Sequence, residues 1–181
     1  MRYTCYMTTK PEPHQTTRIW KKSLQKLRMI HALTGESIVV IVERLAIQDL
    51  KRIQQEGIEN IWARQARNSA AARAGFQALG LELFASRPAH GLTVVKVPPG
   101  IDGQELLTKL EKQYGIKLAG GQDHLKGKII RLAHMGYIDQ FDVLTALAGV
   151  ELVLLEMGYH VEPGKGVAAA QRMLAQTLPK H

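Results

Sequence analysis

The segment at residues 139–157 constrains the fold more than any other part of the chain, because it is apolar on nearly every side. Asp139, with Asp142 three residues later, predicts a capped helix start, and Gly158 predicts the end of the helix. A helix that is apolar all round must be covered on two sides. We expect a small sheet on one side and another helix, or another domain, on the other.

Short β-branched or alternating runs predict the sheet that this helix needs. Strands are expected at residues 37–42, 82–85, 93–97, 116–119 and 128–134. Helices are expected at residues 15–33, 46–78, 104–114 and 166–178, the second of them continuous or broken at Gly57. The C-terminal part is therefore predicted to be α/β, with a small open sheet of three or four short strands and helices packed on it.

Positive charge is concentrated near the start of the chain. Residues 1–38 carry seven Lys and Arg against two acids, so five of the eight net positive charges lie there. The amphipathic basic helix at 15–33, with Trp20 among its cations, indicates either a solvated face or, less favoured, a nucleic-acid contact. One cysteine, Cys5, and no signal-like or 20-residue apolar segment lead us to expect a cytoplasmic protein.

Arg131 gives the clearest functional signal among the individual residues. It lies within the predicted apolar strand 128–134, where a guanidinium needs an anionic partner. A planar fork of donors suits a carboxylate or a phosphate. Two interpretations remain open: a ligand clamp, or an arginine that reaches water or an acid of the same domain. His134, three residues later, is expected on the opposite face of the strand.

Other candidate sites have weaker patterns. Gly120-Gly121 and Gly164-x-Gly166 lack the context of phosphate-binding loops and are interpreted as turn glycines. Tyr137 is expected to pack in the core. No metal site is expected, because no ligand spacing joins His90, His124, His134 and His160. No catalytic residue is assigned, because no nucleophile–base or paired-carboxylate arrangement is found.

From about Ala46 to Leu174 the sequence resembles the C-terminal part of the class V aminotransferases, which include serine-pyruvate and alanine-glyoxylate aminotransferases. The resemblance rests on the stretches 56–84, 97–116 and 118–158, the last of which contains the pattern Gly-Gly-x5-Gly-Lys-x-x-Arg-x-x-His-Met-Gly. It implies a fold-type-I homodimer that binds pyridoxal phosphate (PLP) and transfers an amino group between an alanine- or serine-type amino acid and a glyoxylate- or pyruvate-type oxo acid. It further implies that Arg131 binds the substrate α-carboxylate.

The resemblance also implies a Schiff-base lysine and an aspartate on the cofactor nitrogen, both in a large domain. Ser23-Leu24-Gln25-Lys26 is similar to the family's Ser-x-Lys environment, but only about twenty residues separate Lys26 from the resembling region. Lys26 is therefore interpreted as part of the basic helix. We expect a chain without the catalytic lysine, so its status as an enzyme is left open.

Two segments are predicted: residues 1–45, an appendage with a basic helix and a short strand and no family likeness, and residues 46–181, the small domain. A truncated gene, a wrong start or a frameshift upstream of Ala46 is the expected origin of this arrangement, which predicts an inactive fragment. The alternative is a non-catalytic module that pairs with a full-length aminotransferase subunit or, less favoured, binds nucleic acid. The sequence does not determine the amino donor or acceptor.

Overall fold

The computed structural model describes residues 21–177, which form six α-helices and three short strands. These residues belong to two compact units, 1–55 and 56–181. The boundary predicted between the segments 1–45 and 46–181 falls inside a helix, and this division of the chain stays a prediction. The expectations for Cys5 and Trp20 lie outside the described residues.

In the first unit, α1 (Lys21–Thr34) contains the described part of the predicted basic helix. It ends where the sequence predicts a break. The Thr34 hydroxyl donates to the Ile30 carbonyl over 2.8 Å, and the Gly35 amide donates to the His31 carbonyl over 2.8 Å. Gly35 has φ +74°, a left-handed conformation that glycine adopts without a Cβ clash.

The strand predicted at residues 37–42 is wrong: after Ser37, these residues begin α2 (Ile38–Glu56). The Ser37 hydroxyl accepts the Val40 amide over 3.3 Å, and the Ser37 carbonyl accepts the Ile41 amide over 3.0 Å. Each β-branched residue costs a helix less than about 1 kcal/mol relative to alanine. A capped start followed by strong helix formers outweighs that cost, so the helix begins eight residues before Ala46.

In the second unit, α3 (Ile58–Ala78) follows α2 across Gly57, whose φ is +80°. The sequence left a continuous or a broken helix open, and the structure has two helices. Gly80 ends α3 as predicted: its amide donates to the Gln77 carbonyl, and the Leu81 amide donates to the Phe76 carbonyl, both over 3.0 Å.

The sheet is antiparallel and has the order β1-β3-β2. Its strands are β1 (Leu92–Lys96), β2 (Ala119–Gly120) and β3 (Ile129–Ala133). The strand predicted at 82–85 is reduced to one bridge between Leu83 and Val95, and the one predicted at 116–119 is shortened and shifted. The expected small open sheet with helices packed on it is confirmed.

The remaining helices are α4 (Gly103–Tyr114), α5 (Gln140–Glu156) and α6 (Lys165–Ala175). The predicted caps of α4 and α5 are confirmed, and α6 begins one residue before its predicted start. Asp102 accepts the amides of Gln104 and Glu105, and Asp139 and Asp142 form a reciprocal capping box on α5.

The apolar α5 packs against the helices α3, α4 and α6, and its buried residues share one core with Val95, Ile130 and Leu132 of the sheet. At the crossing of α3 and α6 the backbones approach closely: a Cβ on Gly75 would lie 2.4 Å from Leu147 Cδ1 and 3.1 Å from the Gly166 carbonyl oxygen. The buried core joins all of these elements and includes Phe76, Val95, Leu106, Leu110, Ile130, Leu147, Val150 and Leu154.

Candidate functional site

The two faces of β3 differ in character. Ile130 and Leu132 are buried on the face that meets the helices, and His134, just past the strand, is also buried. Arg131 alternates with them and lies on the other face, beside its cross-strand partners Val94 and Ala119. Arg131 and His134 therefore lie on opposite faces.

The Arg131 guanidinium is held by one hydrogen bond. Its Nε donates to the Gly120 carbonyl of the edge strand β2 over 2.8 Å. Within residues 21–177, no Asp or Glu forms an ion pair with Arg131, and its Nη1 and Nη2 groups have no hydrogen-bond partner. The side chain is half-buried, and its charged fork lies on the face of the sheet opposite Ile130 and Leu132.

The turn that follows β2 leaves no room for a side chain at Gly120 or Gly121. A Cβ on Gly121 would lie 2.0 Å from the Leu125 carbonyl oxygen, and one on Gly120 would lie 2.9 Å from Leu107 Cδ1. Asp123, which begins a short 3-10 turn, has φ +47°. Gly121 thus allows a close backbone approach beside Arg131, and Gly120 leaves room for the Leu107 side chain.

His134 is a buried structural histidine on the core face. Its Nε2 lies 2.8 Å from Thr93 Oγ1, both side chains are fully buried, and its Nδ1 has no hydrogen-bond partner among the described residues. Burial, and then the positive charge of Arg73, lower the pKa of His134 to about 4. His134 is therefore neutral near pH 7.

A polar cluster on α3 was not recognised from the sequence. Arg73 Nη2 donates to Ser69 Oγ over 2.9 Å, and Ser69 Oγ lies 3.3 Å from His90 Nδ1. Ser69 is fully buried although it lies on a helix rich in alanine. The sequence did not reveal this cluster, because His90 lies 21 residues from Ser69 and no local pattern connects them.

The loop that follows β3 is tied to α3 by one carbonyl. The Ile138 carbonyl accepts Arg64 Nη1 over 2.8 Å and Asn68 Nδ2 over 3.0 Å. Arg64 also pairs with Glu56 over 2.6 Å, and this hydrogen bond raises the pKa of the guanidinium. In the same loop Tyr137 is 71% exposed, so its predicted packing in the core is wrong.

The backbone amides of the Gly164-x-Gly166 segment donate hydrogen bonds to a carboxylate of the same protein. Glu151, on α5 and 4% exposed, accepts the amides of Gly164 over 3.0 Å and Gly166 over 2.6 Å. The Val167 amide adds a longer hydrogen bond of 3.3 Å. The anion position at the start of α6 is thus filled by the protein itself.

The chain is similar to part of several known proteins. The chain is 41% identical over 128 residues to "Soluble hydrogenase, small subunit" from Synechococcus sp., covering 70% of this chain and 33% of that protein. It is 38% identical over 133 residues to serine–glyoxylate aminotransferase from Arabidopsis thaliana, covering 72% and 33%. The crystal structure of ureidoglycine–glyoxylate aminotransferase from Bacillus subtilis superposes with a TM-score of 0.70 at 33% identity, covering 84% of this chain and 41% of that one.

This chain is a homologue of the C-terminal portion of the class V aminotransferases. It spans about a third of the length of the curated relatives that it matches. No family model matches the chain. The superposition with the Bacillus subtilis enzyme covers more of the chain than residues 46–181 provide, so the structural likeness begins before residue 46.

The described part of this aminotransferase homologue does not by itself fit PLP. A Schiff-base lysine is typically activated by desolvation or by neighbouring cations. Lys26 is exposed on α1. The other lysines with described side chains are exposed as well, apart from Lys109, which is half-buried and paired with Glu156 and Glu105. No group of three His, Cys, Asp or Glu among the described residues is arranged to hold a metal, and no described helix is long and apolar enough to span a membrane.

Proposed function

We propose that residues 46–181 act as the substrate-closing domain of a PLP-dependent transaminase. In this proposal Arg131 binds the α-carboxylate of an alanine- or serine-type amino acid and of a glyoxylate- or pyruvate-type oxo acid. The whole protein is proposed to be a cytoplasmic homodimer. The single observation that supports the proposal is the Nη edge of Arg131, which has no partner within residues 21–177 and lies on the sheet face opposite Ile130 and Leu132.

The chemistry of the Arg131 environment supports a carboxylate ligand. A half-buried guanidinium is less screened than a fully solvated one, and its two Nη groups match the two oxygens of a carboxylate. Its neighbours Val94 and Ala119 bear no charge and cannot compete for the fork. The names of several homologues, which include glyoxylate transaminases, point to the same ligand class.

A binding experiment on the full 181-residue chain tests the role of Arg131. Acetate is titrated into ¹⁵N-labelled protein at constant ionic strength, and the backbone amide resonances of Gly120 and Leu132, which wild type and variants share, are followed. We expect Arg131→Gln to weaken binding at least tenfold, because charge-assisted hydrogen bonds contribute about 1.5–3 kcal/mol each. Arg87→Gln, at an exposed arginine, is the matched control and should leave the affinity unchanged. Equal binding by wild type and Arg131→Gln would contradict the proposal.

A second experiment tests whether this chain catalyses transamination alone. PLP supplies the electron sink for amino-group transfer, and the described residues offer no desolvated lysine for it. We therefore propose that the isolated chain is inactive, and we expect no absorbance of bound PLP near the visible edge. A yellow protein that borohydride reduction labels at Lys26 would overturn the inactivity proposal and leave the Arg131 proposal intact.

An interaction module is the second candidate function, because α2 exposes a large apolar surface. Six of its side chains are 44–74% exposed: Val39, Val40, Val42, Leu45, Ile47 and Leu50. Exposed apolar patches of this kind mark contacts with other proteins. A second copy of the chain, or a full-length aminotransferase subunit, is the proposed partner.

Light scattering after size-exclusion chromatography tests the interaction module. We expect the full chain to form a dimer that the double variant Ile47→Lys/Leu50→Lys dissociates. The control is Gln48→Lys/Lys51→Glu, at exposed polar positions of the same helix. A monomer that also fails to associate with a full-length class V aminotransferase would eliminate this candidate.

A further inference from the structure

The hydrogen bond from Arg131 to Gly120 restricts how a carboxylate can bind. A guanidinium can take a carboxylate in a bidentate manner through Nε and one Nη, or end-on through both Nη groups. In this structure Nε already donates to the Gly120 carbonyl over 2.8 Å. Only the edge formed by Nη1 and Nη2 is left for a bidentate anion.

The position of the Gly120 carbonyl is set by the turn that follows it. Gly121 packs against the Leu125 carbonyl so closely that a Cβ would lie 2.0 Å from that oxygen and 2.5 Å from its carbon. Both obstacles are backbone atoms, which cannot rotate aside as a side chain can. Any side chain at position 121 must therefore open the turn and move the neighbouring Gly120 carbonyl.

We propose that the Gly120-Gly121 turn is the positioning element of Arg131, holding Nε so that the Nη edge takes the carboxylate end-on. This inference rests on the proposed carboxylate-binding role of Arg131. Gly120 acts through its carbonyl, and Gly121 acts by allowing the close approach of Leu125. Neither glycine contacts the ligand, and both determine the direction of the charged fork.

The test uses the ¹⁵N-labelled 181-residue chain and the glycine variants Gly121→Ala and Gly120→Ala. In the wild type, Arg131 Nε–H should give a resonance protected from exchange that persists when acetate is added, while the Nη resonances shift. Gly121→Ala should remove the Nε–H protection and weaken acetate binding about tenfold, the equivalent of losing one charge-assisted hydrogen bond.

Gly75→Ala is the matched control. It also introduces a clash, with Leu147 Cδ1 at 2.4 Å, but at the crossing of α3 and α6. It should lower the stability of the protein and leave both the Nε–H protection and the acetate affinity unchanged. A merely structural effect of a glycine substitution would appear equally in both variants.

If Gly121→Ala does not fold, Gly120→Ala gives the milder perturbation, because its nearest obstacle is the flexible end of Leu107 at 2.9 Å. The inference is overturned if the foldable variant keeps wild-type acetate affinity, or if the wild-type Nε–H is unprotected. If the wild type binds no acetate at all but Nε–H protection is lost in the variant, the proposed function fails and the positioning of Arg131 by the turn stands.

Discussion

Lowering the pH from 7.5 to 4 tests whether His134 is neutral in the folded protein. Burial and the charge of Arg73 lower the pKa of His134 from 6.5 to about 4. Between pH 6.5 and about 4, His134 is protonated in the unfolded chain and neutral in the folded chain. Stability contributed by neutral His134 is thus fully present above pH 6.5 and is lost as the pH falls towards 4.

The magnitude follows from the difference between the two pKa values. Each unit corresponds to about 1.4 kcal/mol, so the shift from 6.5 to about 4 predicts a loss of about 3 kcal/mol. A loss of this size is a large part of the stability of a typical domain. The Thr93 hydrogen bond to Nε2 does not require a charged ring, because a hydroxyl can either donate or accept.

Urea denaturation at several pH values measures this effect by comparing wild type with His134→Gln. The glutamine amide can replace Nε2 as a partner of Thr93 and does not titrate. We expect the free energy of unfolding of wild type to fall by about 3 kcal/mol relative to the variant between pH 7.5 and 4. His124→Gln, at an exposed histidine, controls for general titration and should follow the wild type. A difference that stays constant with pH, or an NMR titration of His134 near pH 6.5, would refute the reasoning.

Two further predictions concern the contacts of α6. Gly75→Ala should destabilise the second unit by about 1–2 kcal/mol, measured by urea denaturation. Overpacking against Leu147 costs up to about 3 kcal/mol, which exceeds the gain in helix propensity of about 1 kcal/mol. A variant more stable than wild type would contradict the close crossing of α3 and α6. Glu151→Ala should cost about 3 kcal/mol by leaving the amides of Gly164 and Gly166 without their acceptor, whereas Glu151→Gln, which keeps one oxygen, should lose less. Equal stability of the two Glu151 variants would show that the carboxylate does not hold the start of α6.

Local signals predicted the elements that depend on near neighbours in the sequence. Asp102 starts α4 and the Asp139–Asp142 pair starts α5, because a capping interaction is completed within three residues. Gly80 ends α3 for the same reason. Composition misled at residues 37–42, where a β-branched run suggested a strand. No described strand pairs with that run, and the Ser37 cap begins a helix instead.

The candidate site was predictable only in part. The sequence indicated Arg131 because a cation in an apolar strand is costly without a partner. It did not indicate that Gly120 supplies the Nε acceptor, nor that Ser69 and His90 lie together, since these contacts join residues 11 and 21 positions apart. It also placed Tyr137 in the core, although the loop after β3 leaves that ring exposed.

The amino-acid sequence by itself determined the α/β class and the helix caps of α4 and α5, because periodicity and capping act over one or two turns of chain. It also singled out Arg131 as the candidate ligand-binding residue, which stays a prediction. Only the tertiary structure decided which edge of the Arg131 guanidinium is free and what fills the start of α6. Those outcomes depend on which backbone carbonyl or carboxylate arrives from another element, as Gly120 and Glu151 do. Such contacts between elements depend on how closely the elements pack. At Gly121 and Gly75 the absence of a Cβ permits the close packing.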